Sequence, residues 1–214
     1  MKVIQMENVS KGFNKSILFK NVNISFDKGK IYGVFGPNGS GKSVLFKIIC
    51  GFIQPDRGKV NIHSDFKQPK DNFPKSCGII IDHPAYIANK TGFENLKRLA
   101  IIQDKISDDD IIETMNKVGL DWKLKQKVKH YSIGMKQKLS IAQAIMENQQ
   151  LLILDEPFNG LDKKSVANMR QLFTDLNKTE GKTIIFTSHN QEDILMLADT
   201  IYEIDNQQIS IYHN

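Results

Sequence analysis

Two short segments of this chain carry residue types that do phosphate chemistry. Gly36-Pro37-Asn38-Gly39-Ser40-Gly41-Lys42-Ser43 sets glycines, a lysine and a hydroxyl at the spacing of a phosphate-binding loop. Glycines let the backbone curl so that several N–H groups point inward at an anion. A helix starting from such a loop adds the partial positive charge of its N-terminus. In this pattern Lys42 reaches the β- and γ-phosphates of a nucleotide and Ser43 ligates Mg²⁺. The bland alternative is a glycine-rich turn ahead of a helix, which needs neither the lysine nor the serine.

The second segment, Leu151-Leu152-Ile153-Leu154-Asp155-Glu156, is four aliphatics followed by two acids. The aliphatic run fits a strand buried on both faces of a parallel sheet. Its acids then sit at the carboxyl end, where open α/β sheets bind ligands. Asp155 is placed to hold Mg²⁺, directly or through water. Glu156 is placed to orient or deprotonate an attacking water. An aliphatic strand ending in Asp-Glu is common by itself; joined to the first segment it points to a nucleotide hydrolase.

The elements that must position these residues follow from pattern. Ile31-Tyr32-Gly33-Val34-Phe35 reads as a buried strand feeding the loop, and Val44-Leu45-Phe46-Lys47-Ile48-Ile49 as a helix leaving it. Alternation over residues 3–6 and 22–26 suggests an antiparallel β portion. Residues 52–77 are rich in Asp, Lys, Pro and Gly and read as loops around short strands. Helical patterns cover 93–103 and 108–118, the second opened by Ser107 as cap and an acidic first turn. A further helix ends at about Glu147, and another spans 163–178 and stops at Gly181. Thr183-Ile184-Ile185-Phe186 is a strand, and the tail from Thr200 to Tyr212 a hairpin turning at Asp205-Asn206.

Composition sets outer bounds. A chain of 214 residues holds one large α/β domain, or a core with a small subdomain. Its 40% apolar and 25% charged residues are ordinary for a soluble globular protein. Twenty-nine basic against 24 acidic residues leave a net charge of +5, spread over scattered lysines. No basic block points to nucleic acid. No apolar run is long enough to cross a bilayer, and polar residues with Glu7 follow Lys2 too soon for a signal peptide. Cys50 and Cys77 lie in apolar stretches without metal-site spacing, as small core residues in a reducing compartment.

Between the two phosphate segments lies Tyr131-Ser132-Ile133-Gly134-Met135-Lys136-Gln137. It resembles the signature motif of ATP-binding cassette (ABC) ATPases, usually written Leu-Ser-Gly-Gly-Gln, with Ser132 and Gly134 retained. Other marks of that family come in its order. Asn159-Gly160-Leu161-Asp162 resembles the D-loop, and Thr187-Ser188-His189 the switch histidine at a strand end. Phe13 matches the aromatic that stacks on adenine. Each has a plainer reading: Ser132 as a helix cap, Phe13 as a core aromatic, His189 as a surface or capping residue.

The resemblance covers essentially the whole chain. It implies an α/β P-loop NTPase with a mostly parallel core sheet, an antiparallel β subdomain and a helical subdomain. Residues of about 1–82 and 134–214 would form the RecA-like core and 83–133 the helical subdomain, in a single domain spanning 1–214. It further implies ATP and Mg²⁺ as ligands, with a second ATPase subunit, identical or related, packed head to tail. Ser132 and Gly134 of one copy then cover the γ-phosphate held by Gly36 to Ser43 of the other, with Glu156, His189 and Lys42 catalytic and Asp162 near the ATP.

Transport is the implied output, through a separate transmembrane permease that would seat residues 82–96 and hold this chain on the cytoplasmic face of the membrane. The form of the signature and D-loop is similar to exporter-type cassettes. One departure concerns metal and water: aligning Gly78-Ile79-Ile80-Ile81-Asp82-His83-Pro84 with the strand entering the helical subdomain puts Asp82 where the family usually has Gln. A carboxylate still ligates Mg²⁺ but cannot donate as an amide does; the alternative is a turn residue before Pro84. A non-transport cassette ATPase and a poorly hydrolysing regulator are the competing readings.

Overall fold

Strands that are aliphatic on both faces need cover on both sides. The chain provides it with a central sheet sandwiched between helices on one side and a second sheet on the other. The computed structural model describes residues 1–13, 16–67, 73–82 and 85–212. The strands are β1 (Lys2–Phe13), β2 (Ser16–Asp27), β3 (Ile31–Phe35), β4 (Arg57–Ile62), β5 (Cys77–Ile80), β6 (Leu151–Leu154), β7 (Thr183–Thr187), β8 (Thr200–Asp205) and β9 (Gln208–Ile211). The α-helices are α1 (Lys42–Ile49), α2 (Gly92–Gln103), α3 (Asp108–Lys117), α4 (Ile133–Ile145), α5 (Lys163–Lys178) and α6 (Gln191–Leu197).

The larger sheet runs β5-β6-β7-β3-β8-β9, parallel except for the antiparallel β9. The smaller sheet runs β2-β1-β4 and is antiparallel. The fold is therefore the α/β P-loop NTPase arrangement that the family resemblance implied. Side chains alternate across the large sheet into two cores. Leu151, Ile153 and Ile185 join the core shared with β1, β2 and α1. Leu152, Leu154, Ile184 and Phe186 join the core shared with α4, α5 and the α2–α3 pair.

Because β5, β6, β7 and β3 are parallel neighbours, their carboxyl ends lie in one row. Asp82, the acids Asp155 and Glu156, the Ser188–His189 turn and the phosphate loop thus leave the sheet side by side, where such sheets bind ligands.

Two differences from the sequence reading have physical causes. The antiparallel strands are 12 residues each rather than four or five. Asn8 (φ 52°) and Asn21 (φ 53°) sit in the left-handed region at register shifts, so bulges interrupt the alternation midway. β4 is an edge strand with mostly exposed side chains, so its composition reads as loop. The turn between β8 and β9 falls at Asn206 and Gln207, both with positive φ, the geometry of a tight hairpin.

Gly78 on β5 marks where α4 presses closest to the sheet. A Cβ there would lie 1.9 Å from the Ala144 carbonyl oxygen, a backbone atom of α4 that has no rotamer to yield. Gly78→Ala should cost about 2–3 kcal/mol and lower the melting midpoint by roughly 4–12 °C, read by circular dichroism. An unchanged midpoint would contradict this packing.

Candidate nucleotide site

The phosphate loop is shaped by what its glycines touch. A Cβ on Gly36 would lie 2.7 Å from the Ile204 carbonyl of β8, and one on Gly41 would lie 2.7 Å from the Phe19 ring. Gly41 has φ 101°, open only to glycine. Gly39, at φ 79°, has open space beside it. The segment Gly36-Pro37-Asn38-Gly39-Ser40-Gly41 therefore wraps onto β8 and β2 while its Gly39 side stays free. Helix α1 begins at Lys42, so Lys42 and Ser43 occupy its first turn. Gly41 offers no side-chain cap, and no acid occupies that turn, leaving its amide groups available to an anion.

Lys42 is only 8% exposed. Its ammonium donates to the carbonyls of Gly36 (2.8 Å) and Pro37 (3.2 Å), with no carboxylate partner among the described residues. A buried cation satisfied only by neutral dipoles suits an anion arriving from outside.

The acids are held by Thr187 at the end of β7. Its hydroxyl donates to Asp155 Oδ1 (2.7 Å) and accepts the backbone N–H of Glu156 (2.8 Å). Glu156 adopts φ 51°, strained for a non-glycine residue. Its Oε2 accepts the His189 backbone N–H (3.0 Å). Its Oε1 lies 3.3 Å from His189 Nε2, yet is buried without an aligned hydrogen bond. The other buried side-chain oxygen without a partner among the described residues is Ser40 Oγ, in the phosphate loop. Buried oxygens are rarely left unbonded, so the two orphans mark where a ligand and its water would complete the site.

Burial raises the Glu156 carboxyl above the ordinary glutamate range. The His189 ring and its backbone N–H pull the other way; Asp155 adds to the rise and Lys42 opposes it. A base poised upward in this manner is suited to taking a proton from water.

The donor set fits Mg²⁺. Ser43 and Asp155 supply two hard oxygens beside a phosphate cradle, and Mg²⁺ takes few protein ligands where phosphates supply others. No group of three His, Cys, Asp or Glu gathers among the described residues. Asp82 stands apart: its carboxylate is 61% exposed and pairs with Lys47 of α1 at 2.8 Å, and its backbone is left-handed at φ 57°. Pro84, on which the turn reading of Asp82 depends, lies outside the described residues.

The remaining residues singled out by pattern lie at other surfaces. Ser132 caps α4, its Oγ accepting the Met135 N–H at 3.1 Å. A Cβ on Gly134 would lie 2.9 Å from the Gly160 carbonyl, so signature and D-loop backbones touch. Asp162 caps α5 through Ser165, whose N–H and hydroxyl hold its carboxyl below the usual range. Phe13 ends β1 exposed, with Lys11 Nζ 5.0 Å from its ring centroid. No bond joins these residues to the phosphate loop among the described residues. Sequence reading missed two supports: Thr187, and Gln137 of α4, which donates to the Glu156 and Pro157 carbonyls (3.3 and 3.0 Å).

Comparison with known proteins agrees with this geometry. The family model described as "ABC transporter" matches residues 19–159. The uncharacterized ABC transporter ATP-binding protein YybJ of Bacillus subtilis is 40% identical, over 97% of this chain and 94% of its own. The lantibiotic transport ATP-binding protein SrtF of Streptococcus pyogenes is 35% identical, over 93% and 85%. A dimeric structure of MJ0796, a bacterial ABC transporter cassette, shares the fold with TM-score 0.83 at 23% identity, covering 99% of both chains.

The chain belongs to the ABC transporter family, among its ATP-binding subunits. Membership carries nucleotide binding and ATPase activity with it.

Because folding raises the Glu156 pKa, the protein loses stability as pH rises through that value, and the penalty is absent below the unfolded value of about 4.3. Glu156→Gln should therefore melt above the parent at pH 8 and level with it near pH 4. Equal midpoints at both would argue against a Glu156 carboxyl whose pKa is raised by partial burial.

Proposed function

We propose that this chain is the ATP-hydrolysing motor of an exporter, working as one of two cassettes beneath a separate membrane-spanning permease. The observation that carries the hydrolytic reading is the pair of orphaned buried oxygens, on Ser40 and Glu156, flanking a lysine without a carboxylate partner among the described residues. The first-turn amides of α1 and Lys42 would grip the triphosphate. Ser43 and Asp155 would hold Mg²⁺, which when bound neutralises phosphate charge. Glu156 would orient the attacking water and take its proton, with His189 steadying the carboxylate and the γ-phosphate. Asp82, neutralised by Lys47, would approach the triphosphate without adding a net charge.

The second copy supplies what one chain lacks. Ser132, Gly134 and Asp162 have no bond to their own phosphate loop, in keeping with a role on the partner's ATP. Loss of the γ-phosphate would then weaken the contact and let the halves part, a ligand-biased two-state element.

A cavity of about 640 Å³ beside α4 lies between the two proposed contacts, lined by Tyr86 and Ala88 of the segment that would meet the permease and by Ile133, Asn159 and Gly160 of the segments that would meet the partner cassette. No helix among the described residues is long and apolar enough to cross a membrane. The proposed place, the cytoplasmic face through the permease, rests on the likeness to transporter ATP-binding subunits. Relatives named for bacitracin and lantibiotic transport fit a transporter. The exporter assignment rests on the form of the signature and D-loop.

Glu156→Gln should bind Mg-ATP without turning it over and shift from monomer to dimer on light scattering behind a sizing column. Lys42→Ala should lose tight ATP binding, about a hundredfold or more, as the buried charge pair is removed. Unaltered ATP affinity in Lys42→Ala would overturn the phosphate-loop assignment, and unaltered turnover in Glu156→Gln the hydrolytic one.

A further inference from the structure

Asp193 is the only buried carboxylate among the described residues, 3% exposed, and the hydrolysis outlined above makes no use of it. It sits in the first turn of α6, just after the loop that carries His189. Arg170 of α5 forks onto its Oδ1, through Nε at 2.9 Å and through a terminal nitrogen. The other oxygen, Oδ2, accepts the Ser188 hydroxyl at 2.8 Å. Ser188 Oγ in turn accepts the Asn190 N–H at 3.1 Å. The loop is thus tied on one side to α5 through Asp193, and on the other to Glu156 through the His189 N–H.

Stability alone does not call for such a pair. Apolar residues of similar volume join two helices at least as well as a buried ion pair. What the pair adds is direction. Both Arg170 nitrogens take one oxygen, and the second is left for Ser188, the residue next to His189. The third guanidinium nitrogen faces Glu192 (3.5 Å) and the Met196 sulfur (3.0 Å), which fixes the fork on its outer side.

We propose that Arg170 and Asp193 are positioning residues, holding the His189 loop against Glu156 by way of Ser188. This rests on the reading of Glu156 and His189 as the hydrolytic pair. It also makes α5 the reference for that loop, and α5 is capped by Asp162 of the D-loop. A D-loop displaced by the partner cassette would carry the His189 loop with it.

The test is ATPase kinetics on Asp193→Ala, Asp193→Asn, Ser188→Ala and His189→Ala, with melting curves on each. Ser188→Ala leaves the ion pair whole, so it remains informative if Asp193→Ala fails to fold. Ser188→Ala and folded Asp193→Ala should lose kcat by about tenfold or more, with KM for ATP within about twofold. Asp193→Asn has one acceptor oxygen where two are used, so it keeps either the Arg170 fork or the Ser188 bond and should recover only part of the loss. A purely structural role would lower the melting midpoint and leave kcat of the folded variants unchanged. Normal kcat in Ser188→Ala would overturn the inference. If His189→Ala is inactive in that case, the hydrolytic reading stands alone; normal turnover in His189→Ala would overturn both.

Discussion

One hydroxyl holds the reactive end of the sheet together. Thr187 Oγ1 bridges from β7 to the two acids that follow β6, donating a hydrogen bond to Asp155 and accepting one from the Glu156 N–H. Without that bridge the N–H of the strained, left-handed Glu156 would lose its partner. The parallel register of β6 with β7, Leu154 opposite Phe186, brings Thr187 to the right height. Much else follows from this placement. The His189 amide reaches Glu156 because Thr187 has already fixed the separation of the two strand ends, and Gln137 of α4 donates to the carbonyls of Glu156 and Pro157.

The site is also defined by bonds it withholds. Lys42 is buried against carbonyls rather than carboxylates, and two oxygens stay unpaired in a wall where nearly all others are bonded. Such arrangements cost stability in isolation and recover it when an anion and water arrive. Asp82 shows the opposite strategy. Its charge is met by Lys47 from the helix that begins at the phosphate loop.

Legibility in the sequence followed locality. The phosphate loop was readable because its glycines, Lys42 and Ser43 sit within eight consecutive residues whose spacing carries the chemistry. The central strands were readable because burial on both faces leaves unbroken aliphatic runs. β4 was not, since an edge strand needs no such run, and the bulges at Asn8 and Asn21 broke the alternation of β1 and β2 midway. Thr187, Gln137, Arg170 and Asp193 escaped for another reason. Their types are ordinary, and their roles arise only when the fold sets Thr187 beside acids more than thirty residues earlier, or Arg170 beside α6.

The six-stranded sheet keeps its two cores from touching. Phe19, Leu45 and Phe46 back the phosphate loop on one side; Leu96, Met115 and Leu139 fill the helical side on the other. Evolution can therefore edit the two sides on separate schedules. Drift among the helical contacts refits the outer surface to a new neighbour, while the packing behind the loop stays under its own selection. In this layout the sheet works as a firewall, and a lineage of such chains can change the company it keeps without relearning its fuel.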